Sequence, residues 1–246
     1  DFDLTQLKDL TYQQYDNLEP IQWPVTLQSP HGTERLFRDA KFYTKNQKAQ
    51  FIAVANKQPA SKISKGYPLI LNTGRIRDQW HSMTRTGKSS TLSAHTIEPY
   101  IEIHADDAKK HSLKNKDLAI VSSDKSEIIV RVKISESQRC GSVFIPIHWN
   151  KQFASSALVD ELITANVDPI SGQPEFKYTA VNVKAYQPKW YGFLLSRRKL
   201  EIKQANYWSV AKGLGLGRYE LAGNENQEDW AESARNLLCK PAEEVN

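Results

Sequence analysis

Apolar and polar residues alternate with a period of two through the middle of this chain, and that pattern predicts strands. Residues 67–72 form a short apolar run ending at the turn-forming pair Thr73-Gly74, which reads as a buried strand delivering a loop. Residues 100–104 alternate. The stretches 118–122, 128–134 and 143–147 are rich in β-branched residues and separated by turn residues, and 177–186 alternates again through Tyr178, Ala180, Val181 and Val183. Residues 105–113 begin with acids and continue with Lys109 and Lys110, an order that suits the dipole of a short helix. A second helix is expected over 153–164. Five or six short strands with two interspersed helices predict a mainly β (α+β) domain closed as a barrel over residues 62–186.

The flanks lack this pattern. In residues 1–61 the period is interrupted by Pro20, Pro24, Pro30 and Pro59, while Tyr12, Tyr15, Trp23, Phe37, Phe42, Tyr43 and Phe51 supply anchors. An irregular arm that wraps its neighbour is expected. Residues 187–246 open with Pro188 and Trp190, pass through Arg197, Arg198 and Lys199, and end in a helix near 230–238. Their glycine run at 212–217 reads as a flexible turn. It is not a dinucleotide fingerprint, because no strand–turn–helix pattern with a downstream acid surrounds it. The chain contains no internal repeat and no low-complexity stretch.

Composition narrows the classes. With 246 residues and 39% hydrophobic, the chain is large enough to bury a sizeable core. No apolar run approaches the roughly 18 residues that span a bilayer, and Asp1, Phe2 and Asp3 do not open a signal peptide. No membrane partner and a cytoplasmic location are therefore expected. Cys140 and Cys239 are too few for a disulfide framework, a four-ligand zinc site or an iron–sulfur cluster. Cys140 reads as a plain thiol in a turn, His31, His95 and His111 show no ligand spacing, and no metal is assigned.

Charge then picks out one stretch. Between residues 62 and 88, Lys62, Lys65, Arg75, Arg77, Arg85 and Lys88 face a single acid, Asp78, so this segment carries the whole net charge of +5. It contains the run from Asn72 to Gly87, which combines glycine for close backbone approach, hydroxyls, closely spaced guanidinium groups and a Trp ring. Those groups suit a phosphate ester joined to a flat heterocycle, since N–H and guanidinium groups bind phosphate oxygens while an aromatic face covers a ring. There is no P-loop pattern, so the expected ligand is a large anionic nucleotide. A non-catalytic basic module binding nucleic acid is the alternative, disfavoured by the neutral remainder of the chain.

The same loop resembles the cofactor loop of molybdopterin oxidoreductases of the DMSO reductase superfamily. Thr73-Gly74-Arg75, Asp78-Gln79-Trp80-His81 and Thr84-Arg85-Thr86-Gly87 look most like the assimilatory nitrate reductases of bacteria. Further matches follow in order over about residues 20–186: Gln22-Trp23-Pro24 with Arg35-Leu36-Phe37 and Phe42, then the turn Glu102 to Ala108, the strand Val143 to Trp149, and Asp168-Pro169 with Ser171 to Lys177. Trp190, Tyr207-Trp208 and Arg218 to Ala222 resemble the extension found in the assimilatory enzymes.

The resemblance implies an aspartate-decarboxylase-like double-psi β-barrel at 62–186, flanked by an N-terminal arm at 1–61 that is the tail of a preceding domain and a small C-terminal extension at 187–246. It implies molybdopterin guanine dinucleotide, as Mo-bis-MGD in the full enzyme, contacted by Thr73, Gly74, Arg75, Ile76, Arg77, Asp78, Gln79, Trp80, His81 and Ser82. Thr84, Arg85 and Thr86 continue toward the pterin, Lys177 closes the loop, and Ile147 and His148 face the substrate funnel. Asp160 stands where the family commonly has Asn. Lys116 and Lys125 replace turn glycines and are expected to change only local geometry. The implied chemistry is reduction of nitrate to nitrite, with electrons arriving from a donor protein or domain through an iron–sulfur cluster. The family's Cys motif and metal ligand are absent from this sequence, so no catalytic residue is assigned. The chain is expected to be a carboxy-terminal fragment that needs the rest of the nitrate reductase subunit, its loop exposed and mobile. Formate dehydrogenase and periplasmic nitrate reductase are the alternatives within the superfamily. The structural readings are Trp80 as a core aromatic, His81 as an interior histidine, His104 as a strand-end side chain bonding the backbone, and His148 with Trp149 packed on the barrel.

Overall fold

The computed structural model describes residues 3–203, 205–224 and 226–239. The chain divides into two compact units, Asp1–Lys57 and Gln58–Asn246. The first is irregular, as the prolines predict. Its one α-helix among the described residues is α1 (Tyr12–Asp16), started by a capping box in which Thr11 and Gln14 bond each other's backbone N–H. Phe37 stacks on Phe42 with centroids 4.8 Å apart and meets Tyr43 edge-on at 5.2 Å.

The second unit is built on a closed barrel of strands β1 (Leu69–Gly74), β2 (Tyr100–Ile103), β3 (Leu118–Ser122), β4 (Glu127–Ile134), β5 (Ser142–Pro146) and β6 (Thr179–Tyr186). Around the barrel the order is β1-β5-β2-β4-β3-β6. The pairs β1–β5 and β2–β4 are parallel, and the other four are antiparallel. Alternation puts one face of each strand inside, so Leu71, Ile101, Ile103, Val121, Ile128, Val130, Val143, Ile145 and Val181 form one hydrophobic core. At about 25 cal/mol per Å² of apolar surface removed from water, such aliphatic side chains are worth roughly 1.5–3 kcal/mol each. The helix predicted after β2 is α3 (Ala105–Lys110), with Asp106 and Asp107 in its first turn and Lys109 and Lys110 in its last. It follows α2 (Ser90–His95) in the chain. Lys116 takes the left-handed backbone (φ 74°) that a glycine would take more easily, whereas Lys125 sits in the tight β3–β4 turn without it.

Two expectations are corrected. Residues 153–164 do not form a helix. Their backbone bonds run sideways: Val210 N–H donates to Phe153 O (2.8 Å), Ser155 N–H to Trp208 O (2.9 Å) and Ile129 N–H to Ser156 O (2.8 Å). Neighbouring strands thus take the groups a helix would need, and only a 3₁₀ turn, Val159–Leu162, remains. The apolar residues of this stretch still enter the core at Ala154, Ala157, Val159 and Leu162.

The second correction concerns residues 187–246, in which no strands were expected. They form a three-stranded antiparallel sheet, β7 (Trp190–Ser196), β8 (Tyr207–Lys212) and β9 (Gly217–Gly223), in the order β7-β9-β8. The glycine run is the β8–β9 turn, with Gly215 left-handed at φ 69°. The final helix, α4 (Gln227–Cys239), covers the predicted 230–238. The sheet joins the barrel through Tyr207, which packs with Leu118 and Ala222 while its hydroxyl donates to Glu98 Oε2 at 2.8 Å. Arg131 forks onto the same carboxylate, with Nη2 at 2.6 Å. Burial pushes the Tyr207 hydroxyl well above its ordinary range, so it remains a donor.

Candidate functional site

The parallel pairing of β1 with β5 sets Gly74 beside Pro146 and sends both strands out of the same end of the barrel. The loop after β1 therefore leaves next to Ile147, His148 and Trp149. Ile147 N–H donates to Gly74 O at 3.0 Å and extends the pairing by one step. Gly74 leaves little room for a side chain, because a Cβ would stand 3.0 Å from the Phe144 ring.

Residues 75–89 contain no regular element before the short 3₁₀ turn Thr86–Lys88, yet several of their groups are engaged by the residues around them. Thr73, nearly fully buried, donates its hydroxyl to Phe176 O at 3.0 Å. Lys177 Nζ donates to Thr73 O. Gln79, also buried, accepts the Thr86 hydroxyl at 2.7 Å, and Thr86 Oγ1 in turn accepts from Trp80 N–H at 3.2 Å. Asn150 Nδ2 donates to Ser82 O at 3.3 Å. The turn passes through two left-handed residues, His81 (φ 43°) and Met83 (φ 59°), and buries Met83 beneath it. Gly87 lets the chain close over Phe153, whose ring would lie 2.9 Å from a Cβ at that position.

His148 supports the loop from below. It is fully buried; Nε2 accepts from Ile76 N–H at 2.9 Å and Nδ1 lies 2.7 Å from His81 O. A nitrogen that accepts from an amide carries no proton, so Nδ1 is the protonated one and donates to the carbonyl. Burial lowers the pKa of this imidazole below its ordinary 6.5, and Arg75 adds to the shift. His148, expected to face a substrate funnel, has both ring nitrogens engaged by the backbone of the loop. Trp149 beside it is core, as its structural reading had it.

The outward face is the opposite case. Arg75, Arg77, His81, Ser82, Thr84 and Arg85 are exposed, and Trp80 is 55% exposed, so it is no core aromatic. The Arg75 guanidinium lies over the Trp80 ring, 5.1 Å from its centroid. Arg77 is different, since it forks onto Asp78 at 2.9 and 3.1 Å, and Asp78 also meets His95 Nδ1 at 2.9 Å. The hydrogen bonds from Arg77 hold the Asp78 carboxyl below its ordinary range. Among the described residues Arg75 and Arg85 have no acidic partner. The role of His95 had no sequence signal, because only folding brings it across from α2 to Asp78. Asp160, on the 3₁₀ turn, is joined to this loop by no hydrogen bond or ion pair among the described residues. Partial burial raises its carboxyl pKa.

The arrangement can hold an extended anion against an aromatic face, with two unpaired guanidinium groups, exposed hydroxyls and a lysine at the root of the loop. Residues 69–180 match the family model described as "Molydopterin dinucleotide binding domain". The chain is 39% identical over 229 residues to the "Nitrate reductase" of Klebsiella oxytoca, a match covering 93% of this chain and 26% of that protein. It is 35% identical over 165 residues to the "Assimilatory nitrate reductase catalytic subunit" of Bacillus subtilis (strain 168), covering 66% of this chain and 22% of that protein. It is 34% identical over 177 residues to "Formate dehydrogenase H" of Escherichia coli (strain K12), covering 71% of this chain and 24% of that protein. The chain spans about a quarter of the length of the curated relatives it matches. Residues 69–180 belong to the molybdopterin dinucleotide-binding domains of the molybdopterin oxidoreductases, in a chain similar to nitrate reductase over nearly its whole length.

Proposed function

We propose that this chain is part of a molybdenum-dependent nitrate reductase, in which it binds molybdopterin guanine dinucleotide for the reduction of nitrate to nitrite. The observation that carries the reading is the loop 73–86, whose inner groups hold its shape while Arg75 and Arg85 stand free of acids. The donor set suits the cofactor. Guanidinium groups fork onto pyrophosphate oxygens, the Ser82 and Thr84 hydroxyls add neutral donors, and Trp80 with Arg75 stacked on it offers a face for a ring. Lys177 lies at the loop's root, 3.6 Å from where a Gly74 Cβ would be, and adds a cation there. Arg77, already paired with Asp78, contributes less charge.

Bound there, the cofactor supplies the redox chemistry, and this chain supplies binding and orientation. His148 keeps the Ile76 and His81 backbone groups in register, so the outward side chains are presented in one arrangement. We assign the barrel to the double-psi type, a reading supported by its two parallel pairs, β1–β5 and β2–β4. Residues 1–61 are the tail of a preceding domain, and 187–246 are an extension. The iron–sulfur cluster and the metal ligand belong to the rest of the subunit, which receives electrons from a donor protein or domain in the cytoplasm. A formate dehydrogenase is the second reading, favoured by the 34% identity to formate dehydrogenase H.

The test uses the complete enzyme. Arg75→Ala with Arg85→Ala should lower the molybdenum and guanine nucleotide content of the purified protein. Unchanged content would overturn the assignment. Assay of the unmodified enzyme with nitrate and with formate separates the two substrate readings.

A further inference from the structure

A second cluster lies away from the loop. Because β2 and β5 are antiparallel neighbours, with Ile103 opposite Val143, the end of β2 meets the turn that leads into β5. That pairing brings together His104 and Cys140, which are 36 positions apart in the chain. His104 caps α3, and Asp106 lies in the first turn of that helix. The Cys140 turn is pinned in place. Gly141 beside it is left-handed (φ 76°) and donates its N–H to the buried Asp107, which also accepts from Lys110 Nζ at 2.9 Å. Asp107 is thereby fully engaged, while Asp106 is exposed.

We propose that His104, Asp106 and Cys140 form a divalent-metal site of the zinc type. The Cys140 sulfur is 3.0 Å from His104 Nδ1, which is 3.7 Å from Asp106 Oδ2, and the three ligand atoms all lie within 4.8 Å of one another. A tetrahedral zinc with bonds of about 2.3 Å to sulfur and 2.0 Å to nitrogen holds those two atoms roughly 3.5 Å apart, so small rotations of exposed side chains suffice. The tautomer is already suitable. Glu136 Oε2 lies 3.4 Å from Nε2 and favours its N–H, while Nδ1 accepts from Asp106 N–H at 3.1 Å and so carries a lone pair. In the metal-free protein the thiol therefore donates to Nδ1.

Binding exchanges that thiol proton, released to solvent, for a sulfur–metal bond. Thiolate and carboxylate together balance the dication, and water takes the fourth, open position. The Asp106 N–H gives up its bond to Nδ1 at an exposed helix start, where solvent replaces it. One nitrogen, one sulfur and one oxygen suit zinc better than a hard cation such as magnesium. No spacing in the sequence announces this site, because its ligands come from two segments joined only by the β2–β5 pairing.

The experiment is cobalt titration of the 246-residue chain carrying Cys239→Ser, which leaves Cys140 as its sole thiol. One equivalent of Co²⁺ should produce the thiolate charge-transfer band and the visible bands of tetrahedral cobalt, and Zn²⁺ should displace it. Cys140→Ser should abolish the bands. His104→Asn should weaken binding by at least about tenfold; Asn keeps an acceptor for the Asp106 N–H, so the helix cap survives, which circular dichroism checks. Should that variant misfold, Asp106→Asn serves in its place with the same expectation. Glu136→Gln should weaken binding by about tenfold through the orientation of the imidazole. No band at millimolar cobalt would overturn the site. So would a band unchanged by both His104→Asn and Asp106→Asn, because a thiolate alone would then be the ligand.

Discussion

The barrel wall and the loop that leaves it are neighbours in one unit, yet they are held by different forces. In the wall, β-branched side chains bury apolar surface and the polar groups of the backbone pair with one another. In the loop, Ile76 N–H, His81 O, Ser82 O and Trp80 N–H have side-chain partners instead. The wall is therefore insensitive to which apolar residue fills a place, provided volume is kept. The loop depends on individual groups such as His148. Its buried side chains are engaged within the protein, so the exposed Arg75 and Arg85 are free for a ligand and contribute little to folding.

That contrast can be broken from the wall inward. Ile101→Ala, at a fully buried place on β2, should cost about 2–5 kcal/mol of global stability, measured by urea denaturation. A cost below that range would show that the barrel core does not carry the fold. His148→Ala should cost about 1–3 kcal/mol, because it strands the Ile76 N–H and the His81 carbonyl. Hydrogen exchange should quicken at the Ile76 amide and leave Leu71 in β1 protected. Equal acceleration at both would mean that loop and wall unfold as one.

A pH series sharpens the same point. His148 has a folded pKa below its ordinary 6.5, so the unfolded chain binds the proton more readily. Its contribution is complete above pH 6.5 and is lost as pH falls from there through the folded value. Stability of the unmodified chain should decline over that window, and His148→Asn should have a shallower slope. An identical slope would assign the loss to other groups. The smallest stability effect belongs to the outward face. Arg75→Ala with Arg85→Ala should change unfolding free energy by no more than about 0.5 kcal/mol, while cofactor content falls in the complete enzyme. A large fall in stability would show that these guanidinium groups have structural partners.

The strands of the barrel were legible because each has a buried face that repeats every second residue. The helix after β2 was legible from its acids and lysines, and the loop from its charge and its resemblance to a known family. The stretch 153–164 misled because its apolar spacing fits a buried irregular segment as well as a helix; the bonds to Trp208, Val210 and Ile129 decided between them. The β7–β9 sheet was missed because glycines and basic residues hide its alternation. It is stabilised by pairing along three strands and by contact with the barrel through Tyr207 and Glu98.

By itself the sequence determined where apolar surface must be buried, where the excess positive charge lies, and which loop resembles a known cofactor loop, since these depend on residues close in the chain. Only the tertiary structure decided that His148 lies beneath that loop and that Arg77 is paired while Arg75 and Arg85 are not. It also brought Cys140 to His104. The places of His148 and Cys140 depend on partners dozens of positions away, which strand pairing selects and local pattern does not encode; Arg77 pairs with its own neighbour Asp78, a side-chain arrangement that adjacency alone does not fix.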